Sequence, residues 1–160
     1  MGLLRKIAKV GRVAEPEPTR PDVPVPQGAR ALAGSVQVRH VDAGSCNGCE
    51  IEVGQTFSPV YDAERYGARL VASPRHADAL LVTGPVTRNM ADALQACHEA
   101  MPRPALVIAL GDCARDCGVF AGGSGVQGAV RDVVRVDVEV AGCPPPPEAI
   151  VTALRTLTGR

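Results

Sequence analysis

The sequence predicts an α/β fold of the flavodoxin-like kind, an open parallel sheet with helices on both faces. Two observations carry that expectation. ALLVTG (79–84) and ALVIAL (105–110) are short continuous apolar runs, each ending at a glycine; strands apolar on both sides are strands covered on both faces, as parallel strands are. Segments with helical periodicity stand between and after them, giving a β-α-β rhythm. At 160 residues and 46% hydrophobic, the chain has the size and apolar content for one domain with a substantial core.

Taken in order, residues 1–13 read as a short amphipathic helix with Leu3, Leu4, Ile7 and Val10 on one face and Arg5, Lys6, Lys9 and Arg12 on the other. Such a helix suits an anionic membrane surface or a partner subunit, or is a frayed terminus, since a helix so short is marginal alone. AEPEPTRPDVPVPQG (14–28) follows, with Pro at 16, 18, 21, 24 and 26, and reads as an extended semi-rigid spacer. Residues 1–33 are therefore expected to be an N-terminal segment and linker, and 34–160 the folded domain. SVQVRHV (35–41) is the first expected strand, 79–84 and 105–110 are buried strands, and VRVDVEV (134–140) alternates as an edge strand would. NMADALQACHEAM (89–101) places Met90, Leu94, Cys97 and Met101 on one helical face; EAIVTALRTL (148–157) does the same with Ile150, Val151, Leu154 and Leu157.

Composition excludes some functions. A net charge of zero, two Tyr, two Phe and no Trp leave neither a basic footprint nor stacking platforms, so no nucleic-acid partner is expected. The N-terminus lacks the uninterrupted apolar core and cleavage site of a secretory signal, and no stretch reaches the ~18 apolar residues of a membrane span. The expectation is a soluble or peripheral protein. Six cysteines in a chain this long and apolar point to a reducing compartment rather than to disulfide staples.

The cysteines' positions matter more than their number. Cys46 and Cys49 follow the first strand, Cys113 and Cys117 follow ALVIAL, and Cys143 follows VRVDVEV. The carboxyl ends of strands in an open α/β sheet share one edge, where ligands collect. Thiolates suit an iron–sulfur cluster or zinc by softness alone. A structural zinc site usually organises a small fold, and a redox C-x-x-C pair would leave Cys113 and Cys143 unexplained, so the pattern favours a cluster with zinc and a redox dithiol as alternatives. Gly44, Gly48 and Gly111 would admit close backbone approach, and the four prolines after Cys143 would stiffen its loop, with Pro147 opening the last helix. Cys97 reads as a core thiol; Cys113 is the strand-end thiol, with Cys117 a possible alternative.

GSCNGCEIE (44–52), YDAERYGARLVASPRHADALLVTGPVTRNM (61–90), ALGDCARDCGVF (109–120) and VDVEVAGCPPPPEAI (136–150) together resemble the small-subunit family shared by respiratory complex I, as its 20 kDa or B subunit, and the membrane-bound energy-converting nickel–iron hydrogenases, including formate hydrogenlyase. The resemblance spans residues 36–158. It implies one 4Fe–4S cluster on Cys46, Cys49, Cys113 and Cys143, a proximal cluster exchanging electrons with a large-subunit active site. The implied partners are a hydrogenase-like large subunit, a ferredoxin-like iron–sulfur subunit and integral membrane subunits, with the chain peripheral on the cytoplasmic face of the cell membrane. The separated C-N-G-C ligands resemble the hydrogenase branch, whereas the alternative is a quinone-reducing complex I type subunit. Cys117 stands where the family's third motif usually has glycine, and Ala141 where the fourth has proline. Glu50 and Glu52 are candidate proton-relay residues or simply helix-start acids. Arg75 and His76 would contact the large subunit near the cluster or form a solvated turn; Asp112 and Arg115 would tune the cluster or be ordinary loop charges.

Overall fold

A computed structural model describes residues 3–11, 25–32 and 34–160. In chain order these hold α1 (Leu3–Val10), β1 (Val36–Asp42), α2 (Gly48–Thr56), β2 (Ala68–Leu70), β3 (Ala79–Thr83), β4 (Val86–Thr87), α3 (Arg88–Glu99), β5 (Leu106–Leu110), α4 (Asp112–Asp116), β6 (Val126–Gly128), β7 (Val138–Val140) and α5 (Pro147–Thr158). Five strands form one parallel sheet in the order β2-β1-β3-β5-β7. Among the sheet's own strands that order is second, first, third, fourth, fifth, which is the flavodoxin-like winding with its switch point between β1 and β3.

Both faces of the sheet are covered, and the strand sequences show why. In β3, Ala79 and Leu81 face the α2/α5 side with Val53, Ile150, Leu154 and Leu157, while Leu80 and Val82 face the α3 side with Ala91 and Leu94. β5 divides likewise: Leu106, Ile108 and Leu110 one way, Val107 and Ala109 the other. A period-two backbone with apolar side chains on both sides needs two apolar layers, and the chain supplies one on each face.

Several expectations change. The strand expected over 134–140 is only Val138–Val140, because Val134 donates its N–H to the Val130 carbonyl and packs in the α3-side core. Pairing with β5 starts at Asp137, whose amide reaches the Val107 carbonyl at 2.9 Å and whose carboxylate takes the Val107 N–H at 3.0 Å. β2 and the antiparallel β4–β6 ribbon were not foreseen. The helix expected over 1–13 is described as Leu3–Val10, and all eight residues are exposed. Residues 14–24 of the proline tract, and residues 1, 2, 12 and 13 of the expected first helix, lie outside the described residues. Ala29–Leu32 forms a short 3-10 turn, with Ala29 buried in the α2/α5-side core.

Candidate metal centre

Three chain reversals at the carboxyl edge of the sheet build the site. After β1, the Asp42 carboxylate accepts the N–H groups of Gly44 at 2.9 Å and Ser45 at 2.8 Å, turning the chain at once. Ser45 Oγ accepts from the Asn47 amide at 3.0 Å and donates to Glu50 Oε2 at 2.6 Å. Asn47 takes the left-handed conformation (φ 72°) just before α2, which puts Cys46 in the exposed turn and Cys49 in the buried first helical turn. At the end of β3, Thr83 donates to Glu50 Oε1, and His40 Nε2 lies 3.0 Å from Thr83 Oγ1 and 3.6 Å from Glu50 Oε1. Burial pushes the His40 imidazole below its ordinary value, against the opposing pull of Glu50. Glu50 therefore fastens the first cysteine loop to both central strands.

The second and third reversals are tied to each other. Gly111 N–H reaches the Val140 carbonyl at 2.8 Å, and Asp112 N–H reaches the Gly142 carbonyl at 2.9 Å. In return the Gly142 amide donates to Asp112 Oδ1 at 2.9 Å. Gly111 (φ 88°) and Gly142 (φ 134°) hold conformations that side chains rarely adopt. A Cβ on Gly111 would stand 2.8 Å from the Cys49 sulfur, and one on Gly84 would stand 2.6 Å from the Ser45 Cα. Glycine is thus required for the loops to close on each other.

The result is a cavity of about 100 Å³ lined by Cys46, Cys49, Cys113 and Cys143, with Gly84, Asp112 and Pro144 completing its wall. None of these thiols is in a disulfide. Burial first, then Glu50 and the Cys113, Cys46 and Cys143 thiols, push the Cys49 thiol up to about 12. Cys113 is raised by burial and then by Cys143 and Cys46. The charges that oppose ionisation of Cys49 and Cys113 thus come in part from the other thiols around the same cavity.

The remaining candidates fall elsewhere. Cys117, left-handed at φ 68°, bonds its amide to the Cys113 carbonyl, but its thiol is raised by burial, Asp132 and Asp116 rather than by the cavity thiols. Cys97 is half-buried on α3 against the opposite core. Glu52 sits outside the Glu50 network, its charge adding to that of Glu148 in raising Tyr61. Arg75 and His76 precede β3 in an exposed turn at the amino edge of the sheet, the edge opposite the cavity. Arg115 bridges Asp112 and Glu139, each at 3.3 Å. Sequence reasoning missed Asp42, Ser45, Thr83 and Gly84, although D-x-G after a strand is a turn signal that would have found the first.

Residues 46–157 match the family model described as NADH ubiquinone oxidoreductase, 20 Kd subunit. The chain belongs to that family. Similar members of known description include a probable membrane-bound hydrogenase subunit of Pyrococcus furiosus, 46% identical over 79% of this chain and 76% of its own length. A B-type subunit of the NADH-quinone oxidoreductase of Herpetosiphon aurantiacus is 45% identical over 71% of this chain and 62% of its length. Among solved structures, a chain of the archaeal membrane-bound sulfane sulfur reductase superposes with a TM-score of 0.70 at 30% identity, covering 82% of this chain and 72% of that one. Membership in the 20 kDa-subunit family makes this chain a subunit of an oxidoreductase complex. Among the described residues no helix is long and apolar enough to cross a membrane.

Proposed function

We propose that the chain is the electron-transferring small subunit of a membrane-associated, multi-subunit nickel–iron hydrogenase-like complex, with Cys46, Cys49, Cys113 and Cys143 holding one 4Fe–4S cluster. The observation that carries this reading is the convergence of those four thiols, from three strand ends, around a single cavity. The donor set fits. The cavity, at about 100 Å³, is several times the roughly 10–15 Å³ one water needs. A ring of thiols around such a space suits a polynuclear group better than one zinc ion, and four thiols exceed what a dithiol oxidoreductase uses.

When bound, the cluster would supply one-electron exchange between a ferredoxin-like subunit and a large-subunit active site. The chain's own residues hold and shield it. Asp42 and Glu50 fix the Cys46–Cys49 loop, Asp112 couples the other two loops, and glycines permit the close approaches of Gly84 to Ser45, Gly111 to the Cys49 sulfur and Gly142 to Pro145. Of the two proton-relay candidates we retain Glu50, which lies in a hydrogen-bonded chain with Ser45, Thr83 and His40. The two-residue gap between Cys46 and Cys49 favours the hydrogenase branch; the 45% identical quinone oxidoreductase subunit keeps a quinone-reducing role as the second reading. Residues 34–160 form the cluster domain. The exposed α1, apolar on one face and cationic on the other, suits peripheral contact with the cytoplasmic face of the membrane.

Serine replacements made one at a time in anaerobically prepared protein test the assignment. Cys46→Ser, Cys49→Ser, Cys113→Ser and Cys143→Ser are each expected to abolish or alter the reduced-cluster EPR signal, while Cys97→Ser and Cys117→Ser preserve it. Loss of the signal in Cys117→Ser together with its retention in Cys113→Ser would overturn the ligand set.

A further inference from the structure

Asp112 and Arg115 form a second construction at the cavity, outside the thiols. Asp112 lines the cavity beside Cys113, and its Oδ1 accepts both the Gly142 amide at 2.9 Å and Arg115 Nη1 at 3.3 Å. The Asp112 amide donates to the Gly142 carbonyl at 2.9 Å, so residues thirty apart in sequence clasp each other through backbone and side chain together. These two residues stand immediately before Cys113 and Cys143. Arg115 in turn reaches Glu139 at 3.3 Å, Arg131 reaches Glu139 at 3.4 Å, and the Arg131 guanidinium donates to the Arg115 carbonyl. The carboxylate is thus held by an Arg–Glu–Arg chain on one side and by the Gly142 amide on the other.

We propose that Asp112 is a positioning residue for the bound cluster: its clasp on Gly142 sets the separation of the Cys113 and Cys143 thiols, and its charge, partly balanced by Arg115, holds the reduction potential down. This rests on the cluster reading above. Outer-shell partners that orient ligands are worth roughly 10–100-fold in metal affinity. A fixed negative charge at the wall disfavours adding an electron, and the protein's charges and hydrogen bonds are recognised levers on cluster potential. The fold itself does not need this carboxylate for burial, since Asp112 is 38% exposed at its side chain.

The experiment uses the full 160-residue chain, loaded anaerobically with iron and sulfide, in three forms: wild type, Asp112→Asn and Asp112→Ala. Asparagine keeps an acceptor for the Gly142 amide and removes the charge; alanine removes both. Asp112→Ala is expected to release iron to a chelator about 10–100-fold faster than wild type. Asp112→Asn should retain the cluster at near wild-type release rate, with a midpoint potential above that of wild type in an EPR-monitored titration. Release from Asp112→Ala at the wild-type rate, or an Asp112→Asn cluster of unchanged potential, overturns the inference, and the second arm stands even where the alanine variant fails to fold. Failure of the wild type itself to take up a cluster would strike the underlying functional reading, a result distinguishable from either of these.

Discussion

At Gly111 a methyl group would lie 2.8 Å from the Cys49 sulfur on a backbone with φ 88°. Both the contact and the left-handed conformation oppose any side chain, the second alone costing about 1–3 kcal/mol. Gly111→Ala is therefore expected to lower the unfolding free energy by at least about 1 kcal/mol in urea titration, and to reduce bound iron per chain more than Cys97→Ser does. Wild-type iron content in Gly111→Ala would show that the loop has slack the geometry denies. Part of this was legible: Gly111 follows an apolar run and precedes a cysteine, so a close approach could be read from spacing. Gly84 could be read only as the end of a strand, because its neighbour, Ser45, lies in a loop that sequence distance gives no reason to place there. The partners of Glu50 were hidden for the same reason. Thr83 and His40 are ordinary strand residues until β1 and β3 are laid side by side with His40 paired to Leu81 and Asp42 to Thr83.

The elements differ in how their sequence betrays them. β3 and β5 are buried at all five positions each, and an almost unbroken apolar run of that length, closed by glycine, fits little besides a strand covered on both faces. Leu81, fully buried between β3 and the α2/α5 layer, should lose about 2–5 kcal/mol on replacement by alanine, whereas Leu4→Ala on the exposed α1 should change the urea midpoint negligibly. Equal effects of the two replacements would contradict the core assignment. β2, β4 and β6 have three, two and three residues, too few for any periodicity to register, and they exist through pairing partners alone. The alternation in VRVDVEV misled in a different way. It is real, but Val134 uses it to bury against α3 from a helical turn rather than to extend the edge strand.

Over the whole molecule, the site follows from the winding of the sheet. Parallel strands send all their carboxyl ends to one edge, so cysteines separated by up to 97 positions (46 to 143) meet without any local motif to announce it. That convergence was legible because strand order matters less to it than strand direction. The same logic places Arg75 and His76, which precede a strand, at the other edge. Identity of the partner reaction is not written in these features: relatives sharing this subunit type carry the names of a hydrogenase, a quinone oxidoreductase and a sulfane sulfur reductase. The claim that the cradle holds a four-iron cluster is tested most directly by metal and sulfide assay of the anaerobically isolated wild-type chain, with EPR after dithionite reduction. The account predicts brown protein with about four iron and four sulfide per chain and a reduced-cluster signal; colourless protein carrying about one zinc and no sulfide would contradict it.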